Sequence, residues 1–185
     1  MRSSHSVWRT GLTTVVLLAA LGACGSQYVE VDAREESLVQ LEQNVRDTLA
    51  CAAAMVPGID PEAGDDVLRE ELDRCTDTDA SVLAGPSVDP DQVQRSRDHV
   101  TALGSAVITD GRLEIHLVTE GTGYVQAGIT SARVTSATCW QLTADLEADV
   151  VAVYSGATCD EAVMAWMDPS EVVAFEALEI SDAAP

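Results

Sequence analysis

Apolar residues recur three or four positions apart over residues 33–56, at Leu38, Leu41, Val45, Leu49, Ala52 and Val56, the stripe of an amphipathic helix. Pro57-Gly58 ends that pattern. Asp60-Pro61, Asp89-Pro90 and Asp168-Pro169 are each followed by polar residues and a periodic apolar run. An Asp carboxylate can accept hydrogen bonds from the open amides of a first helical turn, and Pro tolerates the first helical position. Gln92 and Glu171 stand three residues after their Asp, as in a capping box. All three dipeptides therefore predict helix starts. The second helix carries Val67, Leu68 and Leu72 and reaches about Cys75. Residues 76–88, with Gly85-Pro86, read as a loop, and a third helix carries Val93, Val100 and Leu103 and stops at Gly104.

The period then changes to two. Asp110-Gly111 is a favoured two-residue hairpin turn, after which Leu113, Ile115 and Leu117 alternate with Arg112, Glu114 and His116. One face of that strand is core and the other is wet. Gly121-Thr122-Gly123 is expected to make the next turn, and β-branched residues over 132–143 and 150–154 predict further antiparallel strands, three to five in all. Residues 160–167 read as a short helix, and the Asp168-Pro169 start predicts another carrying Val172, Val173, Phe175 and Leu178. The fold class is α+β: N-terminal amphipathic helices, a small antiparallel sheet and short C-terminal helices. Residues 33–185 form one domain, helical over about 33–104 and sheet-forming over about 105–180.

Ahead of that domain, Arg2 and Arg9 precede an uncharged, largely apolar stretch over residues 11–22. At roughly 1.5 Å per residue it covers about 18 Å of a hydrocarbon core near 30 Å, too little to span. It runs into Leu21-Gly22-Ala23-Cys24, which resembles the lipobox of bacterial lipoproteins. The resemblance covers residues 1–24 only. It implies that residues 1–23 are a signal peptide and that Cys24 becomes a lipid-bearing first residue, holding the protein to a membrane through a diacylglyceryl anchor, outside the cytoplasm. Residues 24–32, beginning with Gly25 and Ser26, are then a lipidated tether. The alternative is an ordinary cleaved signal that leaves Cys24 as a free thiol. Two acyl chains are enough for stable anchoring. The absence of lysine and the heavy use of Ala and Val suggest a high-GC bacterium, and either a Gram-positive cytoplasmic membrane or a Gram-negative outer one fits.

The formal charge of −21 argues strongly against nucleic acid and anionic lipid headgroups as partners. Cleavage would remove two arginines and no acid, making the mature chain more acidic still. With Cys24 set aside, Cys51, Cys75, Cys139 and Cys159 remain, an even number in an exported chain. Four cysteines allow three pairings. Proximity in sequence favours Cys51 with Cys75 and Cys139 with Cys159.

Without lysine the chain cannot carry a Walker A lysine, a pyridoxal Schiff base or a Ser-x-x-Lys pair. It has no G-x-S-x-G elbow and no H-E-x-x-H, and Gly121-Thr122-Gly123 lacks the third glycine of a dinucleotide fingerprint. His99 and His116 read as surface residues; a triad built on either needs a serine that nothing nominates. Asp65, Asp66, Glu70 and Glu71 crowd one helix and would suit calcium, but the EF-hand order of acids and glycine is missing. No metal site, cofactor or catalytic residue is expected. Trp140, Tyr154 and Trp166 are the candidate binding residues; their competing role is core packing against a Cys139–Cys159 bridge. The favoured function is a non-catalytic envelope lipoprotein that holds a partner protein or small ligand. An exported hydrolase using carboxylates and a structural envelope protein are the alternatives.

Overall fold

The computed structural model of the protein describes residues 8–62, 65–72, 74–76, 78–79, 101–148 and 150–180, with the backbone alone over 8–26. Helix α1 (Trp8–Met55) runs unbroken through Cys24 and through residues 24–32, so the segment expected as a tether is helical. The reason lies in its buried positions. Val29, Ala33, Ser37, Leu41, Val45 and Leu49 follow one another at every fourth residue, so the docking stripe begins ahead of Ala33. Leu38, expected on that stripe, is half-buried beside it. A spacing of four drifts about 40° per step around a helix of 3.6 residues per turn, so the buried line winds as it follows a twisted sheet.

Pro57 sits in the 3-10 turn Val56–Gly58 that closes α1. Asp60 does not start the next helix. Its Oδ1 accepts the Glu62 N–H at 2.9 Å in a local turn, and α2 (Asp65–Leu72) begins later. Leu68 and Leu72 are buried there, whereas Val67 is 56% exposed. A Cys51–Cys75 disulfide, Cα atoms 5.5 Å apart, ties the end of α1 to the chain leaving α2. The closed loop has a sequence separation of 24. Replacing both cysteines by alanine is expected to cost about 3 kcal/mol in urea unfolding. An unchanged midpoint would mean that packing alone fixes α2.

Asp89-Pro90, Gln92, Val93, His99 and Val100 lie outside the described residues. Leu103 and Gly104, expected at the end of the third helix, belong instead to strand β2 (Thr101–Thr109). Gly104 marks a bulge: the register with the next strand shifts between Leu103 and Ser105, and a Cβ at Gly104 would lie 3.3 Å from the His116 carbonyl oxygen. Strands β2, β3 (Arg112–Ala127), β4 (Thr130–Asp145) and β5 (Val150–Gly156) form an antiparallel meander. Two-residue strands complete the sheet, β1 (Thr78–Asp79) parallel to β2 and β6 (Glu171–Val172) parallel to β4. With α1 across it and short helical pieces after it, the fold is α+β.

Asp110 and Gly111 turn the first hairpin with φ of 51° and 71°, the left-handed pair that a two-residue turn requires. Gly121-Thr122-Gly123 is not a turn but lies inside β3, and the chain reverses at Gly128-Ile129, where Gly128 has φ 64°. The two β3 glycines continue the inward phase of Leu113, Ile115 and Leu117. A Cβ on Gly121 would overlap the Ser37 carbonyl oxygen, and one on Gly123 the Ala33 carbonyl oxygen. Backbone therefore meets backbone here, with Ala33 and Ser37 as the small residues on the helix side.

The expected Asp168-Pro169 helix is also absent. Helix α3 (Glu161–Met167) is capped by Asp160, whose Oδ1 accepts the Val163 N–H at 3.1 Å. Asp168, at φ 49°, donates its N–H to the Met164 oxygen at 2.9 Å. This is a left-handed helix end, and Pro169 then turns the chain into β6. Asp168-Pro169 thus closes a helix, and the only helical piece after it among the described residues is the 3-10 turn Phe175–Ala177.

The inner face of the sheet packs Leu103, Leu113, Ile115, Leu117, Trp140 and Leu142 against Leu41, Val45 and Leu49 of α1 and Leu68 and Leu72 of α2. On the outer face, α3 lays Val163, Trp166 and Met167 over Ala102, Val118, Ala137 and Cys139. Both flanks of α1 are also hydrogen bonded. Among the described residues the pairing of β3 with β2 ends at Thr119. There Asn44 donates to the Glu120 oxygen (2.7 Å), Gln40 accepts the Thr122 N–H (2.9 Å) and Glu36 accepts the Tyr124 N–H (2.9 Å). Four helix residues advance roughly 6 Å and two strand residues roughly 6.7 Å, so the two repeats stay matched. On the other flank Glu42 and Arg46 hold the Glu179 N–H and carbonyl at 2.9 and 2.6 Å, and Arg34 pairs with Glu171 at 2.9 Å. Among the described residues no helix is long and apolar enough to cross a membrane.

Candidate functional site

Trp140, Tyr154 and Trp166 do not come together. Trp140 is fully buried on the inner face, stacked on Phe175 at 5.8 Å, and its Nε1 donates to the Thr119 hydroxyl at 2.9 Å. Tyr154 is half-buried and meets the same Phe175 edge-on at 6.2 Å. Trp166 lies on the outer face with the Cys139–Cys159 disulfide, Cα atoms 5.2 Å apart. Cys139 and Trp140 are consecutive on a strand, so they point to opposite faces. The expectation that Trp140 packs on the bridge is therefore corrected, since the bridge and Trp166 form a separate small cluster under α3. None of the three aromatics forms a binding patch in this arrangement.

What the sheet does present is the part of its outer face that α3 leaves uncovered. Cross-strand register builds it in rows. The first row is Ser105, His116, Gln141 and Ser155, one residue from each of β2 to β5. Beside it run Val107, Glu114 and Thr143, and then Thr109, Arg112 and Asp145. Within the first row Gln141 Nε2 donates to the Ser155 hydroxyl at 3.2 Å, and His116 Nε2 lies 2.8 Å from Glu114 Oε1 in the next row. Val107 is the apolar member and is 48% exposed. Alternation makes this face polar, because the inward positions of the same strands are taken by the core.

Two depressions border the rows. One, of about 140 Å³, lies between His116, Ser105 and the chain at Thr158 to Asp160. The other, of about 430 Å³, surrounds the Asp110-Gly111 turn and collects Asp110, Glu114, Asp145 and Glu147 with Arg112. Asp145 Oδ1 is committed to the Glu147 and Ala148 amides at 3.0 and 3.1 Å, and Asp160 Oδ1 to the cap of α3. Ser105 stands opposite His116 and makes no hydrogen bond to it among the described residues. Groups of three or more metal-ligating side chains are absent among the described residues. Glu71 of α2 pairs with Arg74 at 2.9 Å.

The outer rows were not singled out by sequence reasoning, which stopped at one wet face on the Leu113 strand. The usable signal was the alternation itself, extended to the strands on either side once the register is known. No family model matches the chain, and neither curated proteins nor solved structures give a match.

Proposed function

We propose that the protein is a lipid-anchored binding protein of the bacterial envelope, held at Cys24 and engaging a partner protein through the outer rows of its sheet. The observation that supports this reading is the uncovered, ordered polar surface around Val107, His116 and Gln141, at the end of the sheet opposite the N-terminal end of α1. A flat row of side chains on paired strands matches a protein surface better than a small molecule, which favours an enclosed, largely apolar cavity. His116 and Glu114 act there as a recognition pair. They bind and orient rather than transfer a proton to a nucleophile.

The test is native mass spectrometry of the protein solubilised in mild detergent from its own membrane. The expected spectrum carries the mass of a diacylated Cys24 and a non-covalently retained protein, and Val107→Arg removes the partner while leaving the lipid. A bare diacylated monomer from the unaltered protein would overturn the binding role. A species without lipid would overturn the anchor.

A further inference from the structure

The direction of α1 along β3 fixes which end of the molecule Cys24 occupies. Ala33 lies against Gly123 and Ser37 against Gly121, so the helix runs antiparallel to the strand. The Glu36–Tyr124 and Gln40–Thr122 hydrogen bonds repeat the same register. From Ala33 back to Cys24 the helix axis covers about 13 Å. The same distance along β3 from Gly123 is about four residues, which reaches Ala127. Cys24 is therefore level with the Gly128-Ile129 turn. No flexible segment separates the two levels, because α1 is continuous through Cys24 and is already docked at Val29.

That end of the molecule differs from the rest. Ile129 is completely exposed, at 105%, and Tyr124 is 55% exposed. On the helix, Tyr28 stands one turn from Cys24 and is 72% exposed. In a chain with 31 acids, residues 121–144 contain none, and their one charge is Arg133. The nearest acids on α1, Glu30 and Asp32, lie roughly two turns beyond Cys24. Glu36 reaches the level of Tyr124, whose N–H its carboxylate accepts, and the described Asp110, Asp145 and Glu147 cluster lies at the opposite turn.

We propose that the Gly128-Ile129 hairpin tip, with Tyr124 and Tyr28, is a membrane-contacting surface that seats in the headgroup region of the bilayer holding Cys24. The proposal rests on the reading of Cys24 as the lipid anchor. Ile129 enters the boundary between headgroups and acyl chains beside the anchor, and the two tyrosines take the interfacial position that amphipathic rings favour. The Asp110, Asp145 and Glu147 cluster is turned away from the membrane. Strand β3 then stands along the membrane normal and carries the outer rows toward the far end, roughly 36 Å (His116) to 50 Å (Arg112) from the level of Ala127. The anchor supplies the affinity, and the tip supplies the orientation.

The experiment uses the full lipidated protein in phosphatidylcholine vesicles that include phosphatidylcholine brominated near the carbonyl end of its acyl chains. Trp140 and Trp166 are buried and give a constant background, so Ile129→Trp reports the tip and Val67→Trp, on the exposed face of α2, reports the opposite end. Flotation with the vesicles checks the anchor separately. The expected result is that both variants float, the Ile129→Trp indole loses most of its emission to bromine, and the Val67→Trp indole keeps its own. Floating protein in which the two indoles are quenched equally, or neither is, overturns the tip while leaving the anchor intact. Protein that does not float overturns both.

Discussion

Adding a single methyl group at Gly123 or at Gly121 is expected to destabilise the protein by about 3 kcal/mol, the upper end of what overpacking normally costs. A flexible side chain can yield to an added Cβ, but the atoms in the way here belong to the α1 backbone: the Ala33 oxygen and Ser37 nitrogen at Gly123, the Ser37 oxygen and Leu41 nitrogen at Gly121. The helix can relieve the overlap only by lifting off. That would separate Glu36, Gln40 and Asn44 from the β3 edge and Ser37 from the Ser136 hydroxyl, 2.7 Å away, so neighbouring hydrogen bonds fail together. Gly58→Ala is the matched control, since nothing lies within 4 Å of a Cβ there, and it should change stability by less than about 1 kcal/mol. Urea unfolding with the disulfides intact reads all three variants. A Gly123→Ala midpoint equal to that of Gly58→Ala would show that the helix does not dock at this distance. The outcome also bears on the proposed membrane seat, because the contact at Gly123 sets Cys24 level with the hairpin tip.

These glycines show where the sequence was legible and where it was not. Asp110-Gly111 was readable because the turn is local: two adjacent left-handed residues between alternating strands specify it without reference to anything distant. The pairings of Cys51 with Cys75 and of Cys139 with Cys159 were readable for a similar reason, as both loops are short and each joins neighbouring elements. Gly121-Thr122-Gly123 has the composition of a turn, and only the partner helix, more than eighty residues earlier, makes it a docking strip. The clue was phase, since positions 121 and 123 continue the inward period of Leu113, Ile115 and Leu117. Asp168-Pro169 failed in another way: the same Asp chemistry that opens a helix can close one in the left-handed region, and which occurs depends on whether a helix precedes it. The polar ladder of Glu36, Gln40 and Asn44 was not legible, because the strand edge it meets is not a property of any short segment.

Trp140→Ala should cost about 3 to 5 kcal/mol, the range for emptying a large aromatic site in a core. Trp140 is completely buried, stacks on Phe175 and joins a line of hydroxyls under α1, in which Thr48 and Thr101 are 3.0 Å apart and Thr101 and Thr119 3.2 Å. Removing the indole therefore leaves both a cavity and a Thr119 hydroxyl that has lost its donor. Trp140→Phe keeps a ring against Phe175 but loses the Nε1 hydrogen bond and part of the indole volume, so its cost should be smaller, about 1 to 2 kcal/mol. Thermal or urea unfolding separates these outcomes, and equal losses for the two variants would show that the hydrogen bond rather than the packing matters. Trp140→Phe has a second use. Because the indole points to the inner face, the variant should retain whatever binds the outer rows at full strength, while Val107→Arg should not. Loss of binding in Trp140→Phe with unfolding nearly unchanged would place the recognition surface on the α1 side of the sheet and reverse the assignment made from Ser105, His116 and Gln141.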